Sequence, residues 1–382
     1  MLHSKSKKSI KNKIILLTGG GSGGHVIPAL TVYDYISKLE YDISFLYIGS
    51  KNGIERQLAE KMGIPYFAIS TGKLRRYMSS ENIKDFFSFL QGIIQAFTFL
   101  PRKKKIVLFS TGGYVALPVI LACWMKRIPI VIHEQTTHVG LANRISAWFA
   151  KKICISFASS KQYFPENKTL LVGYPLRSEF CEAKPPMMEK YKNIKLPSSM
   201  KVLLVLGGGN GSELLNKFIL TNLEILTKEF VVFLQCGSRF EEEMLARESE
   251  YFIPFAFMSE SLVALMERAD CILARSGAGT VCELMSLKKK VLYVPLAIAQ
   301  KQEQLYNAME AQKCLGEGLV QIKEETAFKT MPIAEFIYWA KGDSGNGQNT
   351  IGLGTSGIAS FDGESDPRER IRQEVLSLMN LQ

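Results

Sequence analysis

The sequence predicts an α/β protein of two doubly wound, Rossmann-like domains facing a cleft. Three observations lead there. Short β-branched runs alternate with helical stretches from residue 13, the alternation lapses over residues 181–200, and it restarts at residue 201. Each half opens on an apolar strand running straight into glycines, Leu17-Thr18-Gly19-Gly20-Gly21 in one and Val205-Leu206-Gly207-Gly208-Gly209 in the other. A length of 382 residues exceeds what one hydrophobic core comfortably fills.

In the first half, residues 13–18, 43–48, 105–110, 130–133 and 152–156 read as strands bounded by Gly, Pro or polar residues. Helical stretches are expected over 26–39, 53–62, 83–100, 117–125 and 140–150. Such alternation builds a parallel sheet covered on both faces by helices. Residues 181–200 carry Pro185, Pro186 and Pro197 with no periodicity, the composition of a linker. Strands follow at 201–206, 230–237, 270–277 and 290–295, with a helix over 212–226. No helical stretch stands out over 330–366. Residues 342–365 are rich in Gly, Ser and Asn and read as a mobile loop, and 367–381 as a closing helix. The expected domains are therefore 1–175 and 201–382, joined by 176–200.

Composition narrows the partners. The net charge of +11 calls for something anionic: nucleic acid, an acidic lipid surface or a phosphorylated substrate. Seven scattered cysteines without a C-x-x-C pair suit reduced thiols of a cytosolic protein. The apolar run after the N-terminal lysines, 14–17, is far shorter than the roughly 7–15 residues of a signal peptide, so secretion is not expected. Stretch 83–100 has Lys84, Asp85, Ser88, Gln91 and Gln95 along one side and Ile83, Phe86, Phe87, Leu90, Ile93, Ile94 and Phe97 along the other. That spacing predicts an amphipathic helix and not a membrane span, which needs about 20 apolar residues. Arg75-Arg76 before it and Arg102-Lys103-Lys104-Lys105 after it point toward anionic headgroups.

The glycine turns carry the chemistry. Thr18 to Gly24, followed by His25, joins a strand to a helix, where glycines admit an anion and the helix N-terminus offers free N–H groups. The G-K-[ST] ending of a Walker loop is missing, and the dinucleotide fingerprint is weak. An imidazole at the helix start can serve as a base or grip a diphosphate. Gly207 to Ser212 repeats the device, and Arg275 to Glu283 again sets small residues before a helix. Glu283 can accept from a ribose diol or merely compensate the helix dipole.

Taken in order, Gly20-Gly21-Ser22-Gly23-Gly24-His25-Val26, Thr111-Gly112-Gly113-Tyr114-Val115, His133-Glu134-Gln135, Gly173-Tyr174-Pro175-Leu176-Arg177, Gly207-Gly208, Arg275-Ser276-Gly277-Ala278 with Thr280, Val281 and Glu283, and Gln304 with Asn307-Ala308 resemble the MurG family over residues 13–325. These are the UDP-N-acetylglucosamine–N-acetylmuramyl-(pentapeptide) pyrophosphoryl-undecaprenol N-acetylglucosamine transferases of the GT-B architecture. The resemblance implies inverting transfer of N-acetylglucosamine from UDP-N-acetylglucosamine to an undecaprenyl-linked muramyl-pentapeptide acceptor, in peptidoglycan synthesis. It implies a peripheral site of action on the cytoplasmic face of the plasma membrane, an anionic membrane surface as partner, and no nucleic acid.

By position, Ser22, Gly23 and Gly24 would meet the donor, Arg177 its diphosphate, and Ala278, Gly279, Thr280, Val281, Cys282 and Glu283 its phosphates and ribose. Met258 would present backbone to the uracil and Gln304 would read sugar hydroxyls; Tyr114, Thr136, Gly209 and Arg275 join the substrate-binding set. Thr136, Tyr174, Gly209, Gly279 and Lys301 stand where the family usually has other residues. His25 is the first candidate for the base that takes the acceptor hydroxyl proton and Glu134 the second, with His133 structural and diphosphate binding the alternative role for His25. The chain has no D-x-D, so no metal and no cofactor is expected. Rival readings are another GT-B transferase with a lipid acceptor, a UDP-sugar epimerase, and a non-catalytic nucleotide-sugar binder.

Overall fold

The computed structural model describes residues 13–40, 42–72, 81–101, 105–180, 200–256, 262–297, 302–342 and 366–380. The chain divides into two compact units, Met1–Gln135 with Val139–Pro175 and Gly363–Gln382, and Thr136–His138 with Leu176–Asp362.

The first unit is built on strands β1 (Lys13–Thr18), β2 (Ile43–Ser50), β3 (Tyr66–Ile69), β4 (Lys105–Ser110), β5 (Ile130–Glu134), β6 (Lys152–Ile155) and β7 (Thr169–Leu171). Among the described residues these form one sheet in the order β3-β2-β1-β4-β5-β6-β7, every neighbour parallel. The strands are apolar on both sides because helices cover both faces. Leu16, Leu108 and Ile132 point to one core, and Ile15, Leu17, Val107, Phe109 and Val131 to the other. The connecting helices are α1 (Gly23–Leu39), α2 (Ile54–Lys61), α3 (Glu81–Phe99), α4 (Ala116–Met125) and α5 (Leu141–Phe149). Helix α1 starts three residues before the expected Val26, which puts Gly23, Gly24 and His25 inside its first turn.

The second unit repeats the plan with β8 (Lys201–Leu206), β9 (Phe230–Gln235), β10 (Phe252–Phe255), β11 (Cys271–Ala274), β12 (Val291–Tyr293) and β13 (Val320–Ile322), in the parallel order β10-β9-β8-β11-β12-β13. The single helix expected over 212–226 is two, Glu213–Thr221 and Leu223–Glu229. Between them Asn222 donates its side-chain amide to the Phe218 carbonyl at 2.8 Å, the local competition with the helix ladder that breaks helices at Asn. Strands β3, β7, β10 and β13 were not expected: each is three or four residues long at a sheet edge, too short for periodicity to register. A helix also forms at Ile333–Lys341 and sends Phe336 and Ala340 into the core.

One domain boundary is corrected. The C-terminal helix Pro367–Asn380 belongs to the first unit and not to the second. It packs on α1 and β4, placing Ile371, Val375, Leu378 and Met379 in the core beside Ile15 and Leu17. Arg372 pairs with Glu40 at 2.5 Å and Lys152 with Glu374 at 3.1 Å. Apolar positions at helical spacing identify a buried face without naming the sheet that buries it.

Helix α3 departs from the usual arrangement. It packs through Gly92, Ala96 and part of Phe97, and its polar Gln95 turns inward to accept from the Ser70 amide at 2.7 Å. Ile83, Phe86, Phe87 and Ile94 are each more than half exposed. Much of the greasy side of this helix is its outer side, with Phe97 turned inward.

Candidate active site

The strand order of the first sheet reverses between β1 and β4, and the loops leaving two such strands are where parallel sheets bind ligands. Here the two loops touch through backbone. The Gly20 amide donates to the Gly112 carbonyl at 3.2 Å. Gly113, at φ +83°, lies so close to the Gly20 carbonyl that no side chain fits. Among the described residues Gly23, by contrast, would meet nothing within 4 Å, and Gly24 only the Ser22 hydroxyl at 3.7 Å. Ser22 is the N-cap of α1, yet its side chain caps nothing, and the first turn holds no acid. The amides there are left for an anion, which the helix dipole also favours.

His25 is half-buried in that first turn, and its Nδ1 lies 2.9 Å from the Thr111 carbonyl and 3.2 Å from Gln135 Oε1. Both neighbours only accept, so Nδ1 carries the proton and the neutral ring keeps its lone pair on Nε2. Gln135 is oriented in turn: its amide nitrogen donates to the His133 carbonyl at 2.8 Å and lies 3.2 Å from His133 Nδ1. His133 Nε2 then donates to the Gly173 carbonyl at 3.1 Å. A run of hydrogen bonds from the core thus sets the tautomer of the half-exposed histidine.

His133 itself is fully buried, and burial pushes its pKa down to about 4, the Gly173 bond opposing. A histidine that folds neutral but unfolds at its ordinary 6.5 withholds a proton from the native state. Stability is therefore complete above pH 6.5, falls as pH drops from 6.5 toward 4, and levels off below. The loss tends to about 3 kcal/mol at 1.36 kcal/mol per unit. Denaturant midpoints between pH 7 and 4 should decline more steeply in the parent than in His133→Gln; parallel curves would remove His133 as the cause.

Glu134 is 2% exposed, and its Oε2 accepts from the Asn143 side chain at 2.9 Å. Asn143 also presses on Gly112, where a Cβ would stand 2.5 Å from its Oδ1. Tyr114 lies over Gly21, whose φ is +88°. Buried and bonded, Glu134 is less able than His25 to take a substrate proton.

In the second unit the two helix starts differ. Ser212 Oγ caps Leu215 and Glu213 sits in the first turn, so the helix after the glycine turn is already compensated. The helix Ala278–Ser286 has Gly277 as N-cap, no capping bond and no first-turn acid. The open anion seat is therefore the one at Ala278, Gly279 and Thr280. Val281 and Cys282 are 0% and 1% exposed, so their side chains face the core and only their backbone can serve a ligand. Glu283 is the sixth residue of that helix, too far along to compensate its N-terminal dipole. It pairs with Arg177 at 2.9 Å, while burial raises its pKa and Arg177 pulls it back.

Other predicted residues are engaged internally. Arg275 reaches Ser212 Oγ at 3.0 Å, the Val294 carbonyl at 2.9 Å and Glu325 at 2.7 Å, which makes it a brace for the loops around it. Gln304 Oε1 holds the Leu296 amide at 3.0 Å. The Thr136 hydroxyl donates to the His138 carbonyl at 2.8 Å. Gly209 is exposed and meets nothing within 4 Å among the described residues. Met258, Lys301, Arg75, Arg76, the run 102–104, Cys181 and the loop 343–365 lie outside the described residues. Residues that sequence reasoning passed over are Gln135 and Asn143, which orient His25 and Glu134, and Asn307, which meets Thr137 Oγ1 at 3.1 Å and the Ser276 carbonyl at 3.3 Å. Gln135 and Asn307 stood inside the quoted motifs; their buried amides were the available signal.

Comparison with known proteins covers both units. Residues 15–155 match the glycosyltransferase family 28 N-terminal domain and residues 202–330 its C-terminal domain. The UDP-N-acetylglucosamine–N-acetylmuramyl-(pentapeptide) pyrophosphoryl-undecaprenol N-acetylglucosamine transferase of Clostridium perfringens strain 13 is 39% identical over 317 residues, 83% of this chain and 87% of its own. The protein of that name from Clostridium botulinum strain Hall is 37% identical over 320 residues, 84% and 89% of the two chains. Among solved structures, MurG of Acinetobacter baumannii superposes with a TM-score of 0.67 at 22% identity, over 96% of this chain and 99% of that one. A UDP-GlcNAc 2-epimerase from Methanocaldococcus jannaschii reaches 0.58 at 13%, over 96% and 99%. Both are likenesses of fold, and the fold is GT-B.

Proposed function

The chain belongs to glycosyltransferase family 28, and from its place beside the MurG transferases we infer that it moves N-acetylglucosamine from UDP-N-acetylglucosamine onto the muramyl sugar of an undecaprenyl-pyrophosphoryl pentapeptide. The match to relatives of that name across more than four-fifths of the chain carries this reading. The residues supply what the reaction needs. The acceptor C4 hydroxyl attacks the anomeric carbon, His25 Nε2 takes its proton, and UDP leaves from the opposite face. The amides opening Ala278–Ser286, with Arg177, meet the charge that grows on the departing diphosphate. Glu283 holds the ribose. The uncapped first turn of α1, which the resemblance set against the donor, is assigned instead to the acceptor diphosphate because the donor's phosphates have the open seat at Ala278. Purified protein given UDP-N-acetylglucosamine and a short-chain lipid-linked muramyl pentapeptide should yield the disaccharide product and UDP. Turnover of the donor without acceptor, giving an epimerised sugar, would replace this reading with the epimerase one.

The enzyme meets its acceptor at an anionic membrane surface through α3. Among the described residues no helix is long and apolar enough to cross a membrane, and the docking inferred is interfacial. The outward Ile83, Phe86, Phe87 and Ile94 support this, as does Trp124, 54% exposed at the end of the neighbouring α4. Lys126, whose ammonium lies 4.8 Å from the Phe97 ring of α3, would add about 1 kcal/mol near acidic headgroups. Phe86→Ser with Phe87→Ser should cut binding to vesicles containing phosphatidylglycerol by roughly tenfold or more, since each buried aromatic contributes about 1.5–3 kcal/mol. Unaltered vesicle binding would return α3 to an ordinary surface helix.

A further inference from the structure

Beneath the glycine turn of the first unit lies a carboxylate that the reaction scheme does not use. Glu55, in the first turn of α2, is 0% exposed. Its Oε1 accepts from the Ser50 amide at 3.1 Å and the Ser50 hydroxyl at 2.5 Å. Its Oε2 is buried and, among the described residues, has no hydrogen-bond partner. Three glycines make room for the group: a Cβ on Gly20 would stand 2.7 Å from Cδ and 2.9 Å from both oxygens, and side chains on Gly49 or Gly53 would collide with it as well. Gly20 is therefore glycine on account of Glu55, whereas Gly23 and Gly24 meet no such group among the described residues.

The surroundings tie this carboxylate to the turn. Tyr47 donates to the Gly19 carbonyl at 2.6 Å, and Tyr66 to the Ser50 carbonyl at 2.7 Å. Burial first, and the Glu55 charge second, push the phenols of Tyr47, Tyr66 and Tyr114 up, so all three lie within its field. Tyr114 also packs on Gly21. A buried carboxylate oxygen without a partner costs free energy that a packing role alone would not require, since an apolar group could fill the space.

We propose that Glu55 is a positioning residue of the transfer reaction, its carboxylate forming the floor of turn 19–21 and holding that turn in register with the first-turn amides of α1 that receive the acceptor. This rests on the function inferred above. The unmatched Oε2 is the acceptor to which the turn closes when substrate occupies those amides.

Glu55→Gln keeps the shape and the Ser50 bonds but converts the unmatched oxygen into a donor. It should lower kcat/KM for the lipid-linked acceptor roughly tenfold or more, the factor for one hydrogen bond to a charged group, with the KM for UDP-N-acetylglucosamine within about twofold of the parent. Gly20→Ala should show the same split. Amide exchange of residues 18–26 should be slowed by bound acceptor in the parent and much less in Glu55→Gln, while peptides of β8–β13 respond alike in both. Unchanged acceptor kinetics in an active parent, or losses for donor and acceptor alike, would overturn the assignment. A parent inactive on the acceptor would refute the inferred function instead, and protection of residues 18–26 by bound acceptor would then decide for or against Glu55 by itself.

Discussion

His25→Ala is expected to lower kcat by roughly 10²–10⁴-fold, the range for a positioned acid–base group, in a protein that melts within a few degrees of the parent. The expectation rests on where the imidazole's two nitrogens point. Thr111 and Gln135 tie up Nδ1 and fix its proton there, which leaves Nε2 as a base in a half-open position. Folding should tolerate the change because His25 is only partly buried and the turn is held by backbone contacts between Gly20 and Gly112. The partition of the loss separates two roles. A base lost from the transition state lowers kcat at an unchanged acceptor KM, whereas a lost diphosphate ligand raises that KM. Activity within about threefold of the parent, with both substrates saturating, would eliminate both.

Glu283→Ala should weaken UDP binding by about 1.5–3 kcal/mol, or roughly 10- to 150-fold, as expected for a charged hydrogen-bond partner of the ribose hydroxyls. Titration calorimetry with UDP measures this directly. The ion pair with Arg177 adds an opposing effect, because removing Glu283 frees that guanidinium to meet the diphosphate. A freed cation recovers only part of the loss, since it keeps its own desolvation cost at a side chain 17% exposed. Arg177→Ala should therefore weaken UDP binding too, and the double variant, with no freed cation to compensate, should lose more than the sum of the two. An unchanged UDP affinity in Glu283→Ala would leave Glu283 as no more than the counter-ion of Arg177.

The parts of the site that were legible in the chain are the ones whose cause is local. A glycine turn between an apolar strand and a helix announces an anion seat, and the seats at Ser22 and at Ala278 are uncapped, as such a reading requires. Where the cause was distant, the reading was incomplete. Arg275 looked like a ligand group from its motif, but Ser212, Val294 and Glu325, 63, 19 and 50 positions away, engage it. Gly20 looked like a phosphate-binding glycine, and its lack of a side chain is required by Glu55. Glu283 was placed by its motif, while its buried pairing with Arg177 is a contact across 106 positions.

By itself the sequence determined the α/β class, the two parallel-sheet halves, the glycine turns and the family, because periodicity and turn chemistry act over a few residues and need no knowledge of neighbours. The tertiary structure alone decided that the C-terminal helix joins the first sheet and that α3 turns much of its aromatic side outward. It also decided that His25 bears its proton on Nδ1. Each of these depends on which surface a segment meets, and strand order sets that through contacts between residues far apart in the chain: Tyr35 with Glu369 across 334 positions, Gln95 with Ser70 across 25, and His25 with Gln135 across 110. A hydrophobic pattern marks a face as one to be covered, and only the assembled sheet says by what.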